Sequence, residues 1–252
     1  GDGQVAGGYA LGQGGNTPLA WRQEKLIAGL DGQAGYGSVD GVCGEGARLV
    51  GQLGLGSPQG TVWSYSPGMN RYDILWQSDD IPTEFRDCND SGAVVFGQRG
   101  AEVTAWLNGV PGSGLPSFQA RACDRTCQVG IADSNASNAA IVSIDQDVTE
   151  QGDLPAMGAR CPALDAAGAL AACRVGATSS VIVFRMSDQA PIYQAVNDFS
   201  PSAITPGQAT GSFLAVGGCS GGSQRACVVV DGEGPFEIDA NGGANPWPPT
   251  AN

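Results

Sequence analysis

Residues 92–109 read Gly92-Ala-Val-Val-Phe-Gly97, then Gln-Arg-Gly-Ala-Glu, then Val103-Thr-Ala-Trp-Leu-Asn-Gly109. Two short runs rich in Val and aromatics flank a polar link that contains Gly, which is the signature of paired strands. The Asn108-Gly109 dipeptide that follows is a tight-turn signal, because both positions accept positive φ. Working outward, the first run recurs as Ala47-Arg-Leu-Val-Gly51, Cys127-Gln-Val-Gly130, Cys173-Arg-Val-Gly176 and Phe213-Leu-Ala-Val-Gly217. The second recurs as Val62-Trp-Ser-Tyr65, Ile141-Val-Ser-Ile144, Val181-Ile-Val-Phe184 and Cys227-Val-Val-Val230. Anchored on Val62, Val103, Ile141, Val181 and Cys227, the steps are 41, 38, 40 and 46 residues. Further apolar runs follow in several units, at Tyr72–Trp76, Pro191–Tyr193 and Phe236–Ile238.

A unit of about 40 residues with three or four short antiparallel strands resembles a β-propeller blade. The resemblance rests on residues 92–109 and on Ser180-Val-Ile-Val-Phe-Arg-Met-Ser-Asp188, and it covers roughly residues 40–240. It implies an all-β propeller of about five blades, with Gly51, Gly97, Gly130, Gly176 and Gly217 in equivalent positions. It matches no named propeller family, and the Trp-Asp dipeptide of one large class is absent. Gly51-Gln-Leu-Gly-Leu-Gly56 resembles an RCC1-type repeat motif but occurs once. Regular strand spacing also suits a β-sandwich, a jelly roll or a β-helix. Residues 1–244 read as a single all-β repeat domain, in which the run Gln4–Leu11 pairs with strands near the C-terminus and closes the ring. Residues 245–252 read as an extended Pro-rich tail, since Asn245-Pro-Trp-Pro-Pro249 cannot supply the ladder donors of a central strand. Two weak helical patterns interrupt the β reading, Trp21–Leu30 and Ala163–Ala172, the second broken by Gly168.

The composition supports a packed β protein. Of 252 residues, 42% are hydrophobic, and 40 Gly and 15 Pro are dispersed along the chain as many turns require. The net charge of −13 and the single lysine, Lys25, disfavour nucleic acid and anionic membrane surfaces as partners. No apolar run is long enough for a transmembrane helix. The start at Gly1-Asp2 fits a processed mature form or a trimmed piece of a longer chain.

Eight cysteines and no histidine make disulfides a better reading than a metal centre, because Cys123-Asp-Arg-Thr-Cys127 lacks a matching second pair. Pairing by neighbour joins Cys43 with Cys88, Cys123 with Cys127, Cys161 with Cys173 and Cys219 with Cys227, one of 105 connectivities. Disulfides imply an oxidising compartment, so the protein is expected to be extracellular, with the periplasm as the alternative. The sequons Asn89-Asp-Ser91 and Asn135-Ala-Ser137 permit glycosylation.

Without histidine there is no Ser-His-Asp or Cys-His nucleophile system. Gly217-Gly-Cys-Ser-Gly-Gly222 therefore reads as a disulfide loop, and Asp90-Ser-Gly92, which lacks a second copy, as a turn. No catalytic residue, metal or cofactor is assigned. The densest carboxylate cluster is Ser78-Asp-Asp-Ile-Pro-Thr-Glu84, and Trp76 beside it could stack on a sugar, so Trp76, Asp79, Asp80 and Glu84 are the candidate binding residues. The acidic loop Asp145–Asp153 has the same status. The expected function is a secreted, non-enzymatic recognition or structural module. It would bind a glycan or protein through loop faces, or assemble with itself into an extracellular appendage or coat. The contrasting reading is a carbohydrate-active hydrolase with paired carboxylates, since some five-bladed propellers are glycosidases.

Overall fold

The computed structural model describes residues 5–12, 15–22, 25–26, 30–31, 36–54, 56–80, 82–134, 138–176, 180–196, 199–207, 209, 212–220, 224–231, 233–238 and 244–246. An N-terminal sheet, β1–β3 (Val5–Gly12, Gly15–Arg22, Lys25–Leu26), is followed by five antiparallel sheets. The first is β4–β7 (Gly37–Cys43, Arg48–Leu53, Gln59–Ser66, Arg71–Gln77). The second is β8–β12 (Thr83–Cys88, Val94–Arg99, Glu102–Leu107, Val110–Pro111, Leu115–Pro116). The third is β13–β16 (Phe118–Cys123, Val129–Ser134, Asn138–Ile144, Val148–Met157). The fourth is β17–β20 (Ala159–Leu164, Leu170–Val175, Ser180–Arg185, Ala190–Val196). The fifth is β21–β25 (Phe199–Pro206, Phe213–Ser220, Gln224–Val230, Glu233–Ile238, Ala244–Pro246). Strand order follows chain order in each, apart from β12, which returns to pair with β10. These are meanders, the blades of a β-propeller, and they lack the crossovers of a Greek-key sandwich.

The chain divides into two compact units, Gly1–Gly130 with Val142–Gln151, and Ile131–Ile141 with Gly152–Asn252. In the first, Val39, Leu49, Trp63 and Tyr72 of blade 1 pack with Ala20 and Leu30. Val50 and Val62 of blade 1 pack with Phe85, Val95 and Trp106 of blade 2. In the second, Ile131, Cys161, Cys173 and Phe184 form one cluster, and Val181, Val183, Phe199, Phe213 and Val229 form another.

The runs first recognised in the sequence are the second and third strands of each blade. The first strands, such as Thr83-Glu-Phe-Arg-Asp-Cys88, are polar and bulged and gave no apolar pattern. Gly51, Gly97 and Gly217 do occupy one position. Each pairs with the last residue before the bulge in its first strand, Val39, Phe85 or Pro201. Gly176 lies beyond the end of β18, and the bulge between Arg160 and Ala163 is instead faced by Cys173 and Arg174.

Both helical patterns resolve into β structure. Trp21 and Arg22 end β2 and pair with Leu26 and Lys25, and 23–24 and 27–29 lie outside the described residues. Ala163–Ala172 is the β17–β18 hairpin. Asp165 Oδ1 accepts hydrogen bonds from Ala169 N (2.5 Å) and Leu170 N (2.6 Å), and Gly168 takes φ +68. A carboxylate that captures local amides favours a turn over a helix. Val5–Gly12 makes its own hairpin with Gly15–Arg22, where the sequence suggested pairing near the C-terminus. Asn245 and Pro246, read as the start of a tail, pair with Glu237 and Phe236 as the outermost strand of blade 5, where a missing donor is tolerated.

Candidate functional site

The four sequence-derived candidates do not converge. Trp76 is the penultimate residue of β7 and packs edge-on against Phe85 at 5.0 Å, and Phe85 meets Trp106 at 4.8 Å. Successive strand residues point to opposite faces, so Glu84 points away from the face on which Phe85 holds Trp76. Glu84 is ion-paired with Arg86, which also reaches Asp40 at 3.4 Å. Asp80 faces Arg99 at 3.7 Å, and Arg99 also binds Glu102 at 3.2 Å. Asp79 is exposed. Two of the four are thus held by different guanidiniums and a third by a core aromatic. Among the described residues, no group of three or more acidic or cysteine side chains could hold a metal ion.

A more constructed region lies at the other end of these strands, where the loop between the first and second strands emerges in blades 1–3. All eight cysteines are paired by neighbour: Cys43–Cys88, Cys123–Cys127, Cys161–Cys173 and Cys219–Cys227. The first joins the ends of the first strands of blades 1 and 2. Beside it, Asp87 accepts hydrogen bonds from Cys88 N (2.9 Å) and Cys123 N (3.0 Å), which ties blade 2 to blade 3. Burial pushes the Asp87 carboxyl up to about 7 against the opposing pull of those two amides, and nearby Asp124 adds to the rise. Above this layer, Arg125 forms an ion pair with Asp90 and reaches Glu45 at 4.0 Å, while Asp90 N donates to Arg125 O (3.3 Å). Three successive loops are therefore linked by a disulfide, a shared carboxylate and a shared guanidinium.

The loops of blades 2, 3 and 4 have one design that sequence reading missed. Asn89, Asp124 and Asp165 each stand five residues before the second strand proper. Their main-chain amides donate to Val94 O, Val129 O and Leu170 O at 3.0, 2.8 and 2.9 Å. Their side-chain Oδ1 atoms accept from the same three residues' amides at 3.1, 3.0 and 2.6 Å. Gly92, Cys127 and Gly168, three residues along, all have positive φ. The signal is present in the sequence as Asn/Asp-x-x-Gly/Cys-x-Val/Leu, and Cys at the position usually left to Gly disguised it. Asn89 of the first sequon belongs to this turn, whereas 135–137 of the second lie outside the described residues.

No protein-family model and no curated protein sequence matches the chain. Solved structures do. One is a chain of the mitotic checkpoint complex, with TM-score 0.57 and 11% identity over 85% of this chain and 70% of that one. A second is the β-propeller domain of Cps50 (Swd1) from Myceliophteria thermophila, with TM-score 0.54 and 11% identity over 75% of this chain and 63% of that one. A third is U3-55K, with TM-score 0.57 and 11% identity over 94% of this chain and 80% of that one. The fold is that of a β-propeller, and at 11% identity the likeness extends to fold alone.

Proposed function

We propose that this chain is an extracellular recognition module that binds a protein partner through the loops of its blades. The observation that carries the reading is the pairing of all eight cysteines. A set of disulfides without a free thiol is suited to an oxidising compartment and holds loops in place for recognition. A protein partner is favoured over a glycan because Trp76, the aromatic best placed to stack on a sugar, is engaged with Phe85. Asp79 and Asp80 are the exposed members of the sequence-derived set; Asp80 faces Arg99, which leaves Asp79 as the one open to a partner. Involvement of the chain of the mitotic checkpoint complex in a protein assembly is in keeping with this use of the fold.

Intact mass after alkylation, without reduction, tests the compartment. Protein isolated from its natural source should take up no alkyl groups, and eight would sink the extracellular reading. Surface-immobilised protein probed with a glycan array tests the partner class. Retention of defined oligosaccharides would move the reading from protein to sugar.

A further inference from the structure

The four disulfides are not equally placed for reaction. Both cysteines of the blade 4 bridge and both of the blade 5 bridge are covered completely, at 0% exposure. Cys43 and Cys88 each keep 4% of their surface, and theirs is the bridge that spans two blades. Cys123–Cys127 also reaches solvent, at 5% and 1%, but closes only its own turn.

Cys43–Cys88 is set apart by the carboxyl beside it. Cys43 Sγ lies 3.9 Å from Asp87 Oδ1. The other hydrogen-bond contacts of Asp87 are two donors, the Cys88 amide on Oδ1 and the Cys123 amide on Oδ2. A proton on this carboxyl finds no oxygen or nitrogen acceptor among them, so the Cys43 sulfur is the acceptor within reach. Burial lets the carboxyl keep that proton up to about pH 7. Asp124, on the β13–β14 turn, is the one charged group that adds to the rise. β4 and β9 bring the uncharged Gly41 and Phe96 against Asp87. Arg86 is taken up by Asp40 and Glu84, and Arg125 by Asp90 and Glu45.

We infer that Cys43–Cys88 is a reducible bridge, opened by an external dithiol with Asp87 as the proton donor to Cys43, and that its opening releases the linked loops of blades 1–3. A thiolate of the dithiol attacks Cys88 Sγ, the electron pair of the bridge leaves on Cys43 Sγ, and the Asp87 proton moves to that sulfur. The second thiolate of the dithiol then displaces Cys88 from the mixed disulfide, and Cys88 and Asp87 take up protons from water. One dithiol is oxidised to its disulfide and one protein bridge is reduced to two thiols. A leaving thiolate departs faster when its charge is neutralised as the bond breaks. An ordinary thiol holds its proton up to about pH 8.5, so transfer from a carboxyl near 7 runs downhill. The inference is independent of what the loops recognise.

The test follows reduction of the full chain by dithiothreitol from pH 6 to pH 8. Samples are quenched in acid and alkylated, each cysteine is read by peptide mass spectrometry, and rates are divided by the thiolate concentration of the reductant. Cys43–Cys88 should open before the bridges of blades 4 and 5. Its rate should fall about tenfold from pH 6 to pH 8, as Asp87 passes from about nine-tenths to about one-tenth protonated. Lost stability over the same range would change the rate with the opposite sign. Asp87→Asn should flatten the profile and slow the reaction about tenfold at pH 6, while Cys219–Cys227 opens at the wild-type rate. Asp124→Asn keeps an Oδ1 acceptor and removes a charge, so the fall should move to lower pH. A flat wild-type profile, a profile unchanged in Asp87→Asn, or a blade 4 or blade 5 bridge that opens first would overturn the inference. Should Asp87→Asn also speed Cys219–Cys227, unfolding is the cause and Asp124→Asn decides, an unshifted fall overturning the role of Asp87.

Discussion

At Gly97 the backbone of β9 runs so close to β8 that a Cβ would overlap the carbonyl oxygen of Glu84, and Gly51 and Gly217 meet Ser38 O and Ser200 O in the same way. Bulge and glycine therefore form a matched pair, in which the extra residue bends the first strand onto a partner with no side chain. Gly97→Ala should destabilise the protein by about 1–3 kcal/mol, the range for forced overpacking. Gly68→Ala, where a Cβ meets nothing within 4 Å, should stay within about 0.5 kcal/mol. Urea midpoints of the two variants check the pair. Asp87 supplies a second residue-scale prediction. Its carboxyl titrates near 7 in the folded protein against 3.8 as its ordinary value. Below about pH 4 both states are protonated and the group contributes no difference. Between about pH 4 and 7 the folded state keeps a proton that the unfolded state has lost, so the stability held at low pH falls as pH rises. The loss at pH 8 relative to pH 4 is about 2–4 kcal/mol at one pKa unit per 1.36 kcal/mol. In Asp87→Asn that decline should disappear from melting temperatures recorded over the same range. A wild-type curve that parallels the variant would mean that Asp87 titrates normally.

Among the elements, second and third strands were legible and first strands were not, for a physical reason. Arg48–Leu53, Val94–Arg99, Leu170–Val175 and Ser180–Arg185 each hold three to five consecutive buried residues, so both faces are covered there and they read as continuous apolar runs. The same burial removes the period-two alternation that pins register. Gly51 pairs with Thr61 and Gly97 with Thr104, so the anchors Val62 and Val103 fall on opposite sides of the true equivalence. First strands carry Asp40, Glu84, Arg86 and Arg121, and their charges hide them. The turn that mimicked a helix at Ala163–Ala172 shows what decides in such cases. An acceptor at Asp165 gathers the amides of Ala169 and Leu170, and the apolar small residues around it fit either structure. Asp165→Ala leaves the buried amide of Leu170 without its acceptor and frees the Ala169 amide at the turn's exposed edge, and should cost about 1–3 kcal/mol. Asp165→Asn keeps the Oδ1 acceptor, as Asn89 does in blade 2, and should cost less than half as much. Guanidinium denaturation of the two variants separates a role for the acceptor from a role for charge, since equal losses would show that charge matters.

At the scale of the whole molecule, the pairs Cys123–Cys127, Cys161–Cys173 and Cys219–Cys227 were legible because strands adjacent in sequence are adjacent in these sheets, and Cys43–Cys88, which joins two sheets, followed as the pair left over. The linked loops of blades 1–3 were not legible, because Asp87, Asp90, Glu45 and Arg125 are joined by folding and carry no common spacing. The four staples close loops of very different length, with separations of 45, 12, 8 and 4 residues. Chain entropy makes the longest worth about 4 kcal/mol and the shortest about 2 kcal/mol, with the other two near 3 kcal/mol. Only Cys43–Cys88 crosses from one blade to the next; the rest lie within single blades. Loss of it also removes the support beside Asp87, so its true effect should exceed the entropic figure. Double replacement of each pair by Ala, followed by urea unfolding without reductant, should therefore rank Cys43/Cys88 as the most damaging and Cys123/Cys127 as the least. The gap between them should be about 2 kcal/mol or more. If Cys123/Cys127 proved the more costly, the short bridge would be setting the Cys127 turn and the Arg125 clamp directly, and local geometry would outweigh loop entropy in holding the three loops together.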